Sequence, residues 1–145
     1  MDHDTAPAPA MAHALTGLGL NLLCRDVARE TAFLCAVFGM TAHQAGRDFA
    51  LMRTGTQLFQ LHSDGSFAAH PLAALLPETP PRGAGIELRL YDIDPDMACT
   101  RAAQHPDAMI LQPPTDKPGH ALREAVILSP EGYAWVPSRR IHPSD

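Results

Sequence analysis

The stretch Leu18–Phe38, LGLNLLCRDVARETAFLCAVF, reads as a strand, an Asp at the strand's end, and then a helix. Leu18, Leu20, Leu22 and Cys24 alternate with Gly19, Asn21 and Leu23, the period of a strand with two distinct faces. Asp26 stands as the helix N-cap, Ala32, Phe33, Ala36 and Val37 give a packing stripe, and Gly39 stops the helix. The same order returns over Ala84–Gln104, AGIELRLYDIDPDMACTRAAQ. One offset of 66 residues relates Gly19 to Gly85 and Asp26 to Asp92, and sets Asn21 opposite Glu87 and Leu23 opposite Arg89. A strand–Asp–helix unit written twice implies two copies of one module, each too small to bury its own face.

Each copy continues with short strands. Met40–Gln44 is a strand candidate, and Phe49–Thr54 and Gln57–His62 flank a hairpin turn at Gly55-Thr56. In the second copy, Asp94-Pro95 opens a helix with Pro in its first turn, where the missing N–H costs least. Strands then follow at Met109–Gln112, Leu122–Leu128 and Tyr133–Pro137, with Pro113–Gly119 a long turn and Ser129–Gly132 a tight one. The order is βαβββ twice. The expected class is α+β, two tandem βαβββ modules in an open, cup-shaped mixed sheet with helices outside. Residues 1–14 lack apolar periodicity and read as a disordered tail. One domain spans 15–140, with module 1 at about 15–63, a Pro-rich linker at 64–83 and module 2 at about 84–140.

At 145 residues the two modules share one core rather than fold apart. A net charge of −5 without a basic run argues against nucleic acid or an anionic membrane as partner. No segment reaches the apolar length of a membrane span. Three scattered cysteines and no export signal suit reduced thiols in a cytoplasmic protein.

The doubled βαβββ order, the Asp after each first strand and the SPEGY segment at 129–133 together resemble the vicinal oxygen chelate superfamily. This is the family of glyoxalase I, bleomycin-resistance proteins and extradiol dioxygenases, whose DPDGY-like turn matches with departures at Ser129 and Glu131. The resemblance implies a cup holding a divalent metal on four positions, one in the first and one in the last strand of each module. Carried over, they fall on Gly19, Gln60, Gly85 and Val136. Glycine and valine cannot ligate, and one Gln falls short of a divalent site, so no metal is expected. A displaced metal site on His62, Glu87 and either His120 or Glu124 is the less favoured alternative.

The face that would line the cup carries Asn21, Gln60, His62, Glu87 and Arg89, with Leu23, Leu58, Tyr133 and Trp135 as apolar walls. Those donors and acceptors suit a polar or aromatic small molecule. Equally, Glu87 and Arg89 sit two apart on one strand and suit an ion-pair network on a solvated face. For metal-free acid–base chemistry, His62 and Glu87 are the candidate catalytic pair, and His120 and Arg123 flank a turn that could form a lip. The expected function is metal-independent small-molecule binding in a homodimer, the dimer implied by resemblance alone. The alternatives are a lyase, isomerase or dioxygenase of the same superfamily, and a scaffold with a vestigial cup.

Overall fold

A computed structural model describes residues 1–142, and the tertiary contacts divide the chain into two units. The first holds Met1–Cys35 and Gly39–Leu76, the second Ala36–Phe38 and the chain from Pro77 onward. The architecture is α+β. Each unit carries one four-stranded mixed sheet, and neither sheet closes into a barrel.

In the first unit, α1 (Ala8–Ala14) precedes β1 (Asn21–Cys24), α2 (Val27–Phe38), β2 (Thr41–His43), β3 (Phe49–Thr54) and β4 (Gln57–Ser63). The sheet order is β1-β4-β3-β2, with β1 parallel to β4 and the other pairs antiparallel. Asp26 starts α2 by accepting from the Arg29 N–H at 3.0 Å, and Gly39 ends it in the left-handed region. The buried positions near the stripe are Glu30, Phe33, Leu34, Val37 and Phe38, whereas Ala32 and Ala36 are exposed. The expected stripe was one residue off, because the bulky side chains and not the alanines set the buried side. The first strand is also shorter than its alternation suggests. Leu18 is fully exposed, and pairing with β4 begins only at Asn21–Gln60.

Residues 1–14, read as a tail, contain α1 with Met11 buried. Pro9 falls in its first turn, where a missing N–H is tolerated. The linker holds two 3₁₀ turns, Asp64–Phe67 and Pro71–Leu75.

In the second unit, β5 (Glu87–Tyr91), α3 (Pro95–Ala102), β6 (Met109–Lys117), β7 (Leu122–Leu128) and β8 (Ala134–Arg140) give the order β5-β8-β7-β6. The repeat offset fails at the helix. Asp92 takes a φ of 66° and the cap passes to Asp94, which accepts from the Asp96 N–H at 3.2 Å. Strand β6 continues through Pro113–Lys117, expected as a turn. It is an edge strand, and its pairing shifts register between Ile110 and Gln112 and again between Gln112 and Thr115. A bulged edge tolerates prolines because no ladder N–H is needed there. Helix α3 lies on β6, β7 and β8 with Pro95, Ala98, Cys99 and Ala102 buried.

Cys24, Cys35 and Cys99 are free of disulfides, and burial pushes the Cys35 and Cys99 thiols up, away from the reactive thiolate. Among the described residues no helix is long and apolar enough to cross a membrane.

Candidate functional site

Cross-strand register fixes which side chains share a face. In the first sheet one row runs Asn21, Gln60, Leu51, His43 across all four strands, and the next runs Leu23, His62, Phe49. The expected trio of Asn21, Gln60 and His62 therefore shares one face. The other face carries Leu22, Cys24, Phe59, Leu61, Ala50 and Met52, all buried. The candidate side is thus the mixed polar one.

His62 is held on three sides. Its Nε2 donates to Gln60 Oε1 at 2.8 Å, and its ring meets Phe49 at 5.2 Å and Phe67 at 5.0 Å between centroids. Burial holds the imidazole below its ordinary value, and with Nε2 turned to Gln60 the nitrogen left to take a proton is Nδ1. The unfolded chain binds that proton more readily. Stability from this group is present above the unfolded value of 6.5 and is lost as pH falls below it. Melting curves taken from about pH 8 down to about pH 5 are expected to fall more steeply for the native chain than for His62→Gln. Parallel curves would contradict the lowered His62 pKa.

Four residues on this face or tied to it were not singled out in the sequence. His43 Nδ1 pairs with Asp4 at 2.8 Å, and Arg53 Nε donates to His43 Nε2 at 3.4 Å. The Gln44 amide donates to the carbonyls of His3 and Ala6 at 2.8 and 3.0 Å. The N-terminal segment is thereby tied to β2. These bonds join residues about forty positions apart, and no local signal announces them.

In the second sheet Glu87, Arg89 and Tyr91 share a face with Ala134, Val136 and Ser138, and with Glu124 across β8. Helix α3 lies on the opposite face, where Arg123 donates to both carboxylate oxygens of Asp96 at 2.8 Å. Arg89 reaches over β8 to hydrogen-bond the Glu124 carboxylate, with a longer contact of 3.5 Å to Glu87. Its guanidinium lies 5.6 Å from the Tyr91 ring centroid. The Glu124 bond raises the Arg89 pKa further still. So the ion-pair reading of Glu87 and Arg89 holds, but its stronger partner is Glu124, which is buried where Glu87 is exposed.

Trp135 is not on this face. It pairs laterally with Leu88 and Ile127, is 2% exposed, and meets the Phe38 ring at 6.0 Å. It is a core residue of the side covered by α3, a correction to its expected place as a wall. Tyr133 precedes β8 and is buried with its ring against Gly83, so close that a Cβ on Gly83 would lie 2.8 Å from it. Arg123, expected at a lip, is clamped by Asp96 and by Asp116 at 2.9 Å.

Of the four positions that the resemblance assigns to metal ligands, Gly19 and Gly85 lie just before β1 and β5. Gln60 is bonded by His62, and Val136 is fully buried beside Arg89. Among the described residues no three His, Cys, Asp or Glu side chains gather as a metal site. A cavity of about 420 Å³ opens at the ends of β1 and β4, lined by Arg25, Asp26, Arg47, Asp48, Ser63 and Asp64 among others. None of the ligand-binding or catalytic residues expected from sequence lines it. Its mixed charges assign no ligand.

No family model matches the chain, and no curated protein matches it. Solved structures do. A glyoxalase-related enzyme from Fulvimarina pelagi aligns at a TM-score of 0.70 and 13% identity, covering 87% of this chain and 89% of its own. The hypothetical protein SA1046 from S. aureus gives 0.68 at 15% identity, with coverage of 86% and 94%. A glyoxalase/bleomycin resistance protein/dioxygenase family enzyme from Burkholderia phytofirmans PsJN gives 0.65 at 17% identity, with coverage of 84% and 96%. The fold is the one these structures share, among them proteins named for the glyoxalase/bleomycin resistance protein/dioxygenase family. At these identities the likeness speaks for the fold and leaves the chemistry to the residues.

Proposed function

We propose that the chain is a metal-independent small-molecule-binding protein of the glyoxalase/bleomycin-resistance type, which takes a polar or aromatic ligand on the polar faces of its sheets. One observation carries the reading: the Arg89–Glu124 pair beside Val136. Where the resemblance seats a metal ligand, this chain has an aliphatic side chain and, next to it, a permanent cation. A divalent ion there meets repulsion from the guanidinium and must draw Glu124 away from Arg89. A polar organic ligand meets no such conflict. Each unit offers its own few placed donors and acceptors: Asn21, Gln60 and His62 on the sheet of the first, Glu87 and Arg89 on that of the second. A cytoplasmic homodimer accompanies this reading, the dimer on resemblance and the compartment on composition.

The test is a thermal-shift screen of polar and aromatic metabolites in a buffer containing EDTA. A ligand at a hundred times its Kd stabilises by about 2.7 kcal/mol, and Arg89→Gln is expected to weaken that gain. A library without hits, or hits that need added metal, would contradict the reading.

A second reading, a metal-free acid–base enzyme, is supported by His62, oriented by Gln60 and with its pKa lowered by burial. It expects His62→Ala and Glu87→Gln each to abolish turnover, the exposed Glu87→Gln with the melting temperature nearly unchanged and His62→Ala with a lower one, because its ring packs on Phe49 and Phe67. If both substitutions are silent in binding and turnover, a scaffold role replaces both readings.

A further inference from the structure

Residues 65–76, which follow β4, carry most of the two 3₁₀ turns of the linker, and none of them is buried. Their hydrogen bonds close on residues 63–76. The Ser66 N–H donates to Ser63 Oγ at 3.2 Å, the Ala68 N–H to the Gly65 carbonyl at 3.3 Å, and the Leu72 N–H to His70 Nδ1 at 3.1 Å. Leu72 and Leu75 stay exposed. The ring contact that ties the segment to the sheet is Phe67 on His62, at 5.0 Å, backed by His70 at 4.8 Å on the far side of Phe67. Ser63, just before it, is pinned. Its N–H donates to the Asp48 carbonyl at 2.9 Å and its hydroxyl to Asp48 Oδ1 at 2.7 Å.

We infer that residues 65–76 are a lid over His62 latched by the Phe67 ring, and that the ligand of the proposed binding site carries an aromatic ring which takes the place of Phe67; the ligand class rests on that reading of the site. A segment with exposed backbone bonds and no buried side chain opens at small cost while the sheet beneath it stays closed. Ser63 is the fixed end from which it swings. The latch is one aromatic pair, a bias of roughly two- to tenfold toward the closed form. Opening leaves a seat that is already built. Phe49 and His62 are cross-strand partners with their rings 5.2 Å apart, and Leu23 lies beside His62 in the same row. Both rings are partly exposed, so an arriving molecule reaches them. The Gln60 bond to Nε2 holds the imidazole in its orientation when Phe67 leaves. A ligand ring regains the pairing that Phe67 gives up, whereas a saturated group of the same size covers the seat without it.

The experiment uses phenol as the probe and cyclohexanol, which keeps the size and the hydroxyl but lacks the aromatic ring, as its control. Each is titrated into the full chain and followed by NMR. Phenol is expected to give saturable shifts at Phe49, His62 and residues 65–76, the last moving toward their positions in Phe67→Ala. Cyclohexanol is expected to bind roughly two- to tenfold more weakly. Phe67→Ala, which empties no buried site, is expected to tighten phenol by roughly two- to tenfold, because the internal competitor is gone. Equal or weaker phenol binding in Phe67→Ala would make Phe67 a fixed wall and overturn the lid. Cyclohexanol binding as tightly as phenol, or phenol without saturation in either chain, would overturn the aromatic class. Hydrogen exchange reads the lid with no ligand present. The amides of Ser66, Ala68, His70 and Leu72 are expected to exchange well ahead of those of β3 and β4, and faster again in Phe67→Ala, while the sheet amides hold. Segment amides as protected as those of β4 would overturn the lid. The two readings fail separately. A lid that opens over a face to which no compound binds sinks the binding function and keeps the lid; a tight ligand without an aromatic ring keeps the binding function and sinks the class.

Discussion

Trp135→Ala lowers the unfolding free energy by about 3–5 kcal/mol, the cost of emptying a fully packed aromatic site. The side chain is 2% exposed, flanked by Leu88 and Ile127 in neighbouring strands and by the Phe38 ring. None of these can follow it into the void without disturbing the sheet. In a chain of this length the loss lowers the melting temperature by roughly 10 °C. The same residue offers an optical check, since it is the only tryptophan. Its emission is expected to be that of a dry indole, and to stay unshifted when a ligand occupies the Glu87–Arg89 face on the other side of the sheet. Strong quenching by a bound ligand, together with a mild stability loss, would return Trp135 to the binding wall.

Gly132→Ala should cost about 2–4 kcal/mol without touching the hydrophobic core. Gly132 closes the turn that starts at Ser129, donating to the Ser129 carbonyl at 2.8 Å with a φ of 85°. A side chain in that region is strained by itself. The larger effect is contact: an added Cβ would lie 2.4 Å from the Pro81 Cα and 3.0 Å from the Arg82 nitrogen. Backbone must then withdraw, at the expense of the Arg82 N–H to Glu131 carbonyl bond of 3.2 Å. Denaturant unfolding reads the change as a lower midpoint. A midpoint within about 0.5 kcal/mol of the native chain would mean that residues 81–82 are free to move away.

Much of the fold is written locally, which is why the sequence reveals it. Asp26 and Asp94 act as caps within their own first turns, Gly55-Thr56 closes a hairpin between strands that adjoin in sequence, and the doubled order survives a two-residue slip at Asp92. The site is less legible because its decisive contacts are remote. Arg89 and Glu124 are 35 residues apart and meet only because β8 inserts between β5 and β7. The tie between His43 and Asp4 likewise depends on where an N-terminal segment without periodicity comes to rest. Trp135 is a different case. Strand alternation places it on the face opposite Val136, so its side of the sheet is legible from the sequence.

The central claim, ligand binding without a metal, is tested most directly by one affinity. For the strongest compound from the screen, Kd is measured by calorimetry in EDTA and again with manganese, iron, nickel or zinc added in turn. Equal values throughout are the result that the Arg89–Glu124 pair beside Val136 predicts. A Kd that tightens tenfold with one ion, or turnover that appears with it, would contradict the account and direct attention to a metal held by His62, Glu87 or Glu124.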